Sequence, residues 1–256
     1  MKHHLFIAAL LLSLIPSSCA GTPKSAYTWN QMAKGLEYAT YSFAISEKER
    51  VAIHAFRIDP KLYRFDVAMA PNEKQGATVE ELAKRDKALV VINGGFFTPE
   101  HLSIGLIIKN GKKIRPLHKT SWWSVFAVRD DKPSITSPSK FKEGSDISMS
   151  IQVGPRLVID GNIPKLKSGI STRSAIGITK NDRVVIVITQ GYGITMKELA
   201  SRMKNSPWEG GLGCPNAMAL DGGSSSQLFA KIGKFELSLE GLSKITNGVA
   251  VFKKSP

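Results

Sequence analysis

Gly76-Ala77-Thr78-Val79-Glu80-Glu81-Leu82-Ala83-Lys84-Arg85 and Gly193-Ile194-Thr195-Met196-Lys197-Glu198-Leu199-Ala200-Ser201-Arg202 agree at six of ten positions. Each carries a threonine with a glutamate three places on, Thr78 with Glu81 and Thr195 with Glu198. That spacing predicts a capping box, in which hydroxyl and carboxylate satisfy amide donors that the first helical turn leaves free. An apolar run follows each helix, Ala88 to Ile92 and Ala217 to Leu220. Each run ends in a polar residue and two glycines, Asn93-Gly94-Gly95 and Asp221-Gly222-Gly223. We read this recurring order as a degenerate internal repeat whose two turns face one cleft. Capping boxes are common, so the reading rests on the shared element order.

Elsewhere the pattern is that of strands. Leu62 to Met69 alternates as a half-buried strand does, and Ala88 to Ile92 is apolar throughout, as suits a central strand. Ile104 to Ile108 and Lys112 to Ile114 flank Asn110-Gly111, and Ser174 to Ile178 and Val184 to Thr189 flank Asn181-Asp182. Both read as hairpins. Val153 to Ile159 and Gly248 to Phe252 add further strands. The expectation is a single mixed domain over 51–256, mostly antiparallel, with the two helix-strand-turn units at its centre. Gly21 to Lys34 is polar, and 21–50 is read as an N-terminal arm or tether.

Residues 1–20 read as a signal peptide. Lys2, His3 and His4 form a basic start, Leu5 to Ile15 is apolar apart from Ser13, and Pro16-Ser17-Ser18 leads to Cys19-Ala20. Ser18 and Ala20 suit cleavage before Gly21. Alternatively Cys19 is the lipidated first residue of a lipoprotein, although Pro16 stands where an aliphatic residue is expected. The chain is therefore expected to be exported to the periplasm, the exterior or a lipid anchor in a bacterial envelope. Any membrane contact is expected only through a lipid on Cys19. Cleavage leaves Cys214 as the free thiol, or beside a lipidated Cys19, and excludes an intrachain disulfide framework.

The formal net charge is +14, and +13 without Lys2 of the leader. Such an excess favours anionic partners, and outside a cell these are envelope polymers, not nucleic acid. The lysines are scattered, as a merely soluble surface also allows.

Glycine pairs at strand ends can reach φ > 0 and turn their amides toward an anion, or let a ligand approach the backbone. Ser224, Ser225 and Ser226 add hydroxyls beside Asp221. Around these turns stand Phe96-Phe97, Gly105-Leu106, Gly154-Pro155-Arg156-Leu157, Asp160-Gly161 and Thr172-Arg173-Ser174-Ala175-Ile176-Gly177. The ordered set, over about Val51 to Phe252, resembles the phosphodiester glycosidase family, whose animal member is a lysosomal enzyme that removes N-acetylglucosamine from a sugar-1-phosphodiester.

The resemblance implies an α+β fold with a curved sheet and hydrolysis between an anomeric carbon and a phosphodiester oxygen. The motif positions are Asn93-Gly94-Gly95, Thr172-Arg173-Ser174 and Asp221-Gly222-Gly223. A phosphate leaving group, with a second pKa of about 6, departs without a strong general acid and needs charge stabilisation instead. Arg173 can clamp two phosphate oxygens. Asp221 can serve as nucleophile, as base for water or as stabiliser of an oxocarbenium-like sugar. Asn93 is the third expected catalytic residue, binding a sugar hydroxyl or acetamido group. Gly94, Gly95, Phe97, Thr172, Ser174, Gly222, Gly223, Ser224 and Ser225 are the expected substrate-binding positions.

Other residues carry less. His54, His101 and His118 share no metal-ligand spacing, and neither metal nor cofactor is expected. Cys214 precedes a proline and reads as a loop residue. Trp122-Trp123 reads as a strand with one buried ring, and Asp160-Gly161 as a hairpin turn. Two rival functions remain open: a non-catalytic envelope protein binding anionic glycans, and a phosphodiesterase or transferase of polysaccharide assembly that breaks the P–O bond.

Overall fold

The computed structural model describes residues 27–255. The expected leader 1–20, Cys19 included, lies outside the described residues.

Three large sheets and two α-helices make up the fold, and every strand pairing among the described residues is antiparallel. The seven-stranded sheet runs, edge to edge, through Asn30–Ala33, Leu36–Ala44, Arg50–Ile58, Val184–Gly191, Ser174–Ile178, Asn216–Ala219 and Arg156–Val158. A five-stranded sheet runs through Phe235–Leu239, Leu228–Ile232, Val90–Asn93, Asn247–Lys253 and Tyr63–Met69. The other five-stranded sheet holds Lys112–Arg115, Ile107–Lys109, Ile147–Val153, Ser124–Arg129 and Lys132–Thr136, and Ile170–Ser171 pairs separately with Ile194–Thr195.

The chain is thus richer in sheet than the mixed α+β reading implied, and separate sheets take the place of one curved sheet. The stretch expected as an arm or tether contributes two strands, Asn30–Ala33 and Leu36–Ala44. Polar residues such as Thr40 and Ser42 alternate there with half-buried ones, which hides an edge hairpin in a polar sequence.

All three large sheets turn one face toward a shared core. Phe56, Ile186 and Met218 come from the long sheet, Phe65, Ile92 and Val249 from the second, and Phe126, Met149 and Ile151 from the third. Strand alternation then decides what lies outside. On Val90–Asn93, Val90 and Ile92 enter the shared core, while Val91 packs with Leu82 and Ala83 of helix α1 (Val79–Asp86). On Asn216–Ala219, Met218 points to the shared core, while Ala217 and Ala219 pack with Leu199, Ala200 and Met203 of helix α2 (Met196–Lys204). Each helix therefore roofs the strand whose end carries one of the two turns.

The expected caps are present in different degrees. Thr78 Oγ1 accepts from Glu81 N while Glu81 Oε2 accepts from Thr78 N, a complete box. At α2, Thr195 Oγ1 accepts from Glu198 N without the return bond. The Asn110-Gly111 hairpin turn has both residues at positive φ, 48° and 72°.

Candidate active site at the meeting of two strand ends

Asn93 ends the strand Val90–Asn93, Asp221 lies two residues beyond the strand Asn216–Ala219 of another sheet, and the two segments join directly. Asp221 N donates to Gly94 O at 2.9 Å, and Asn93 Nδ2 donates to Asp221 O at 2.6 Å. The other side of the Asn93 amide is also engaged: Oδ1 accepts from Ser174 Oγ at 2.7 Å and from Gln227 N at 3.2 Å. The two turns therefore touch, but the cleft beside Gly223 is not lined by Gly94 or Gly95, which are buried.

Their detailed roles differ from expectation. Asn93 is 0 % exposed and Ser174 1 %, so neither reaches a ligand. Expected as catalytic and substrate-binding, they form a buried chain of bonds from Ser174 through Asn93 to the Asp221 carbonyl. Full burial explains the difference, because every polar atom there must find an internal partner. Gly94 and Gly95 are buried too, and their amides are consumed: Gly94 N donates to Asn247 O at 3.0 Å and Gly95 N to Asn247 Oδ1 at 2.7 Å. Neither amide is left to bind an anion.

The need for glycine at 94 is steric. A Cβ there would lie 2.2 Å from Asn247 Oδ1 and 2.7 Å from Ile151 Cδ1. Gly94→Ala should accordingly destabilise the fold by at least about 1–3 kcal/mol, the usual cost of overpacking, and lower the denaturant midpoint. An unchanged midpoint would mean that the two sheets are not locked together here.

Asn247 and Gln227 went unnoticed in the sequence. Besides holding Gly95, Asn247 donates through Nδ2 to Ser103 Oγ at 3.0 Å. Gln227 Oε1 accepts the first helical amide of α1, Val79 N, at 2.9 Å, so the helix is tied to the Asn93 clamp. The available signal was Thr246-Asn247, a polar pair opening an apolar strand.

Phe97 also leaves the site. It packs with the core group beneath α1 and lies 5.1 Å, centre to centre, from the His101 ring.

The other motif residues cluster beside Asp221. Thr172 and Gly223 exchange bonds, Gly223 N to Thr172 O and Thr172 Oγ1 to Gly223 O, both 2.9 Å. Gly223 has φ 63°, a left-handed conformation that favours glycine. The short 3₁₀ turn Gly223–Ser225 follows, with Ser224 exposed and Ser225 buried. Arg173 lies half-buried between the paired segments. Its Nε donates to Ile194 O at 3.1 Å and its Nη2 to Gly169 O at 2.7 Å. No ion pair joins it to a carboxylate among the described residues. A methyl on Gly222 would lie 3.7 Å from Arg173 Nη1, which places the remaining donors beside the Asp221-Gly222 turn. Burial pulls the Arg173 guanidinium below its usual pKa, yet such a group stays charged at neutral pH.

Burial raises the Asp221 carboxyl above its ordinary pKa, while the Ser225 hydroxyl and the Gly222 amide pull the other way. Gly222 N donates to its Oδ1 at 3.0 Å. The turn therefore holds a reluctant carboxylate, and the Arg173 beside Gly222 has no carboxylate partner among the described residues. A cleft of about 470 Å³ opens on the far end of this loop, lined by Thr172, Thr189, Tyr192, Gly223, Ser224 and Leu242 among others; Asp221 and Arg173 are not among its lining residues.

The remaining candidates stay apart from this centre. His54 sits between Tyr38 Oη at 2.7 Å and Gln190 Oε1 at 3.3 Å, its pKa lowered by burial. The Cys214 thiol is fully buried and its pKa pushed far up, which leaves it unreactive. Asp160 and Gly161 have φ 48° and 78° and form the expected turn. Trp122 and Trp123 lie in a loop instead of a strand, with Trp123 buried and Trp122 53 % exposed. Among the described residues no cluster of His, Cys, Asp or Glu is arranged to hold a metal.

The sheet-rich scaffold places a partly buried carboxyl, Asp221, and a half-buried guanidinium, Arg173, on neighbouring loops. The chain belongs to the phosphodiester glycosidase family, whose model matches residues 86–252. Over 157 residues it is 25 % identical to the uncharacterized protein YigE of Escherichia coli K12, covering 55 % of this chain and 62 % of that protein's length. The zebrafish N-acetylglucosamine-1-phosphodiester alpha-N-acetylglucosaminidase catalytic domain, auto-inhibited by its pro-peptide, has a similar fold: TM-score 0.66, 19 % identity, 91 % of this chain and 87 % of that one. A hypothetical protein from Synechocystis also superposes, with TM-score 0.62 and 15 % identity over 89 % of this chain and 64 % of the other.

Proposed function

We propose that the chain is an exported hydrolase that cleaves the glycosidic C–O bond of a sugar-1-phosphodiester, acting on envelope or extracellular glycans. The observation that carries this reading is Arg173: a half-buried guanidinium with no carboxylate partner among the described residues, held by two backbone carbonyls beside the Asp221-Gly222 turn. An unpaired buried cation is costly, and a phosphate oxyanion in the substrate supplies the missing countercharge. Family membership supports glycosidase chemistry, and the zebrafish neighbour is named for the same bond type.

In this reading Arg173 holds the departing phosphate and Asp221 faces the anomeric carbon, as nucleophile, as base for water or as stabiliser of positive charge on the sugar. Asn93, Ser174 and Asn247 hold the two strand ends in place. Gly222, Gly223, Thr172 and Ser224 shape the approach. The two helix-strand-turn units, set in separate sheets and joined at Gly94 and Asp221, are in our reading the halves of a pseudo-repeat. The test is a panel of UDP-sugars and synthetic sugar-1-phosphodiesters incubated with the purified chain. Release of a free sugar and a phosphate monoester is expected; binding without release would instead fit a glycan-binding envelope protein.

A further inference from the structure

The motif Gly154-Pro155-Arg156-Leu157 is not used by the site above, yet Arg156 lines two adjoining cavities. The larger, about 530 Å³, is formed by Lys119, Thr120, Ser121, Ser137, Ser139 and Arg156. The smaller, about 170 Å³, shares Ser137 and Arg156 and adds Lys140 and Thr136. Lys119, Lys140 and Arg156 have no ion-pair partner among the described residues. Asp160, the one carboxylate lining the smaller cavity, accepts from Asn216 Nδ2 at 3.3 Å. Arg156 is half-buried, and its Nη2 donates to Ser121 O at 3.1 Å, which fixes the guanidinium at the edge of the groove. Thr136 Oγ1 is buried with no hydrogen-bond partner among the described residues. Cations interleaved with hydroxyls, and nearly free of carboxylates, form a lining suited to phosphate oxygens.

The groove and the strand-end site are neighbours along the paired strands Arg156–Val158 and Asn216–Ala219. Arg156 pairs with Met218, three residues before Asp221, so about 10 Å of extended chain separates the two positions. Trp122, directly after the groove residue Ser121, has its ring centre 6.2 Å from that of Phe96, the residue after the Gly94-Gly95 turn. It remains 53 % exposed, and Arg156 N donates to its carbonyl at 3.3 Å. An exposed aromatic face beside a cationic groove suits a sugar ring flanked by a phosphate.

We infer that the Lys119–Arg156 groove is a second phosphate subsite, with Trp122 as the platform for an intervening sugar, so that the preferred ligand is a polymer of phosphodiester-linked sugars instead of a single unit. This rests on the Asp221–Arg173 centre taking the phosphodiester that is cleaved. A chain that occupies both subsites gains from the second contact at high effective concentration.

The test compares affinities, by calorimetry at physiological ionic strength, for an oligomer of N-acetylglucosamine 1-phosphate repeats and for its single-repeat methyl phosphodiester. It is done in an Asp221→Asn background so that neither is consumed. The oligomer should bind at least about tenfold more tightly, and the advantage should vanish in Lys119→Gln/Arg156→Gln. Lys119→Gln alone, on an exposed side chain, should remove part of it without touching the fold. Equal affinities in the parent, or an advantage that survives the double substitution, would overturn the inference. So would variant-sensitive binding to phosphatidylglycerol vesicles with no preference for the oligomer, which would make the groove a membrane contact. Turnover by the chain with Asp221 intact is read separately. An Arg156-dependent oligomer preference with neither compound hydrolysed upholds the groove and removes the hydrolase reading.

Discussion

Asp221→Asn should lower hydrolysis of a sugar-1-phosphodiester by roughly 10²–10⁴-fold, the loss expected of a missing acid/base or charge-stabilising group, and leave the melting temperature at or above that of the parent. The amide retains an oxygen to accept the Gly222 N–H, so the turn keeps its bond. It also removes a charge that burial disfavours. The folded pKa of Asp221 lies above the ordinary 3.8. The folded state therefore binds the proton more tightly than the unfolded chain. This contribution to stability declines as pH rises from the ordinary value through the folded one, and is fully lost above both. The asparagine variant should lack that decline. In catalysis the sign is opposite. If the carboxylate is the working form, kcat/KM falls as pH drops through the folded pKa, with a midpoint above 3.8. Steady-state turnover against pH, beside thermal melting, checks both. Near-normal turnover in the variant would remove Asp221 from the chemistry, and a large drop in melting temperature would make it a structural turn residue.

Arg173→Lys should reduce kcat/KM by about 10²–10³-fold, with KM raised and kcat lowered together. A lysine ammonium is a point charge that cannot hold Ile194 O and Gly169 O while presenting further donors in a fixed plane to phosphate. Loss of those two bonds, one to an exposed loop, should cost only about 1–2 kcal/mol of stability. A variant that keeps full kcat/KM would show that Arg173 serves the loop and not the leaving group.

The similar placing of Asn93 and Asp221 was legible in the sequence, where cap, apolar run and polar-Gly-Gly turn recur in the same order. Caps, apolar runs and polar-Gly-Gly turns are all short-range signals, whereas the bond from Asp221 N to Gly94 O depends on how two separate sheets pack. The division of labour was not legible. Asn93 and Asp221 stand at matching places, yet one is buried with its amide fully engaged and the other is a partly buried carboxylate. The two glycine pairs look alike as well. Gly94 is demanded by Asn247, far away in sequence, whereas Gly223 is demanded by its own left-handed backbone. Only tertiary packing separates these cases. Phe97 misled for the same reason, since an aromatic beside a glycine turn looks like a ligand contact until α1 packs over it. Arg173 could be named from its motif, but its lack of a carboxylate partner is visible only in three dimensions.

The most direct measurement is hydrolysis of a sugar-1-phosphodiester in heavy-oxygen water, with mass spectrometry of both products. Cleavage of the glycosidic C–O bond places the label in the released sugar and leaves the phosphate monoester unlabelled. Label in the phosphate would show attack at phosphorus and contradict the glycosidase assignment.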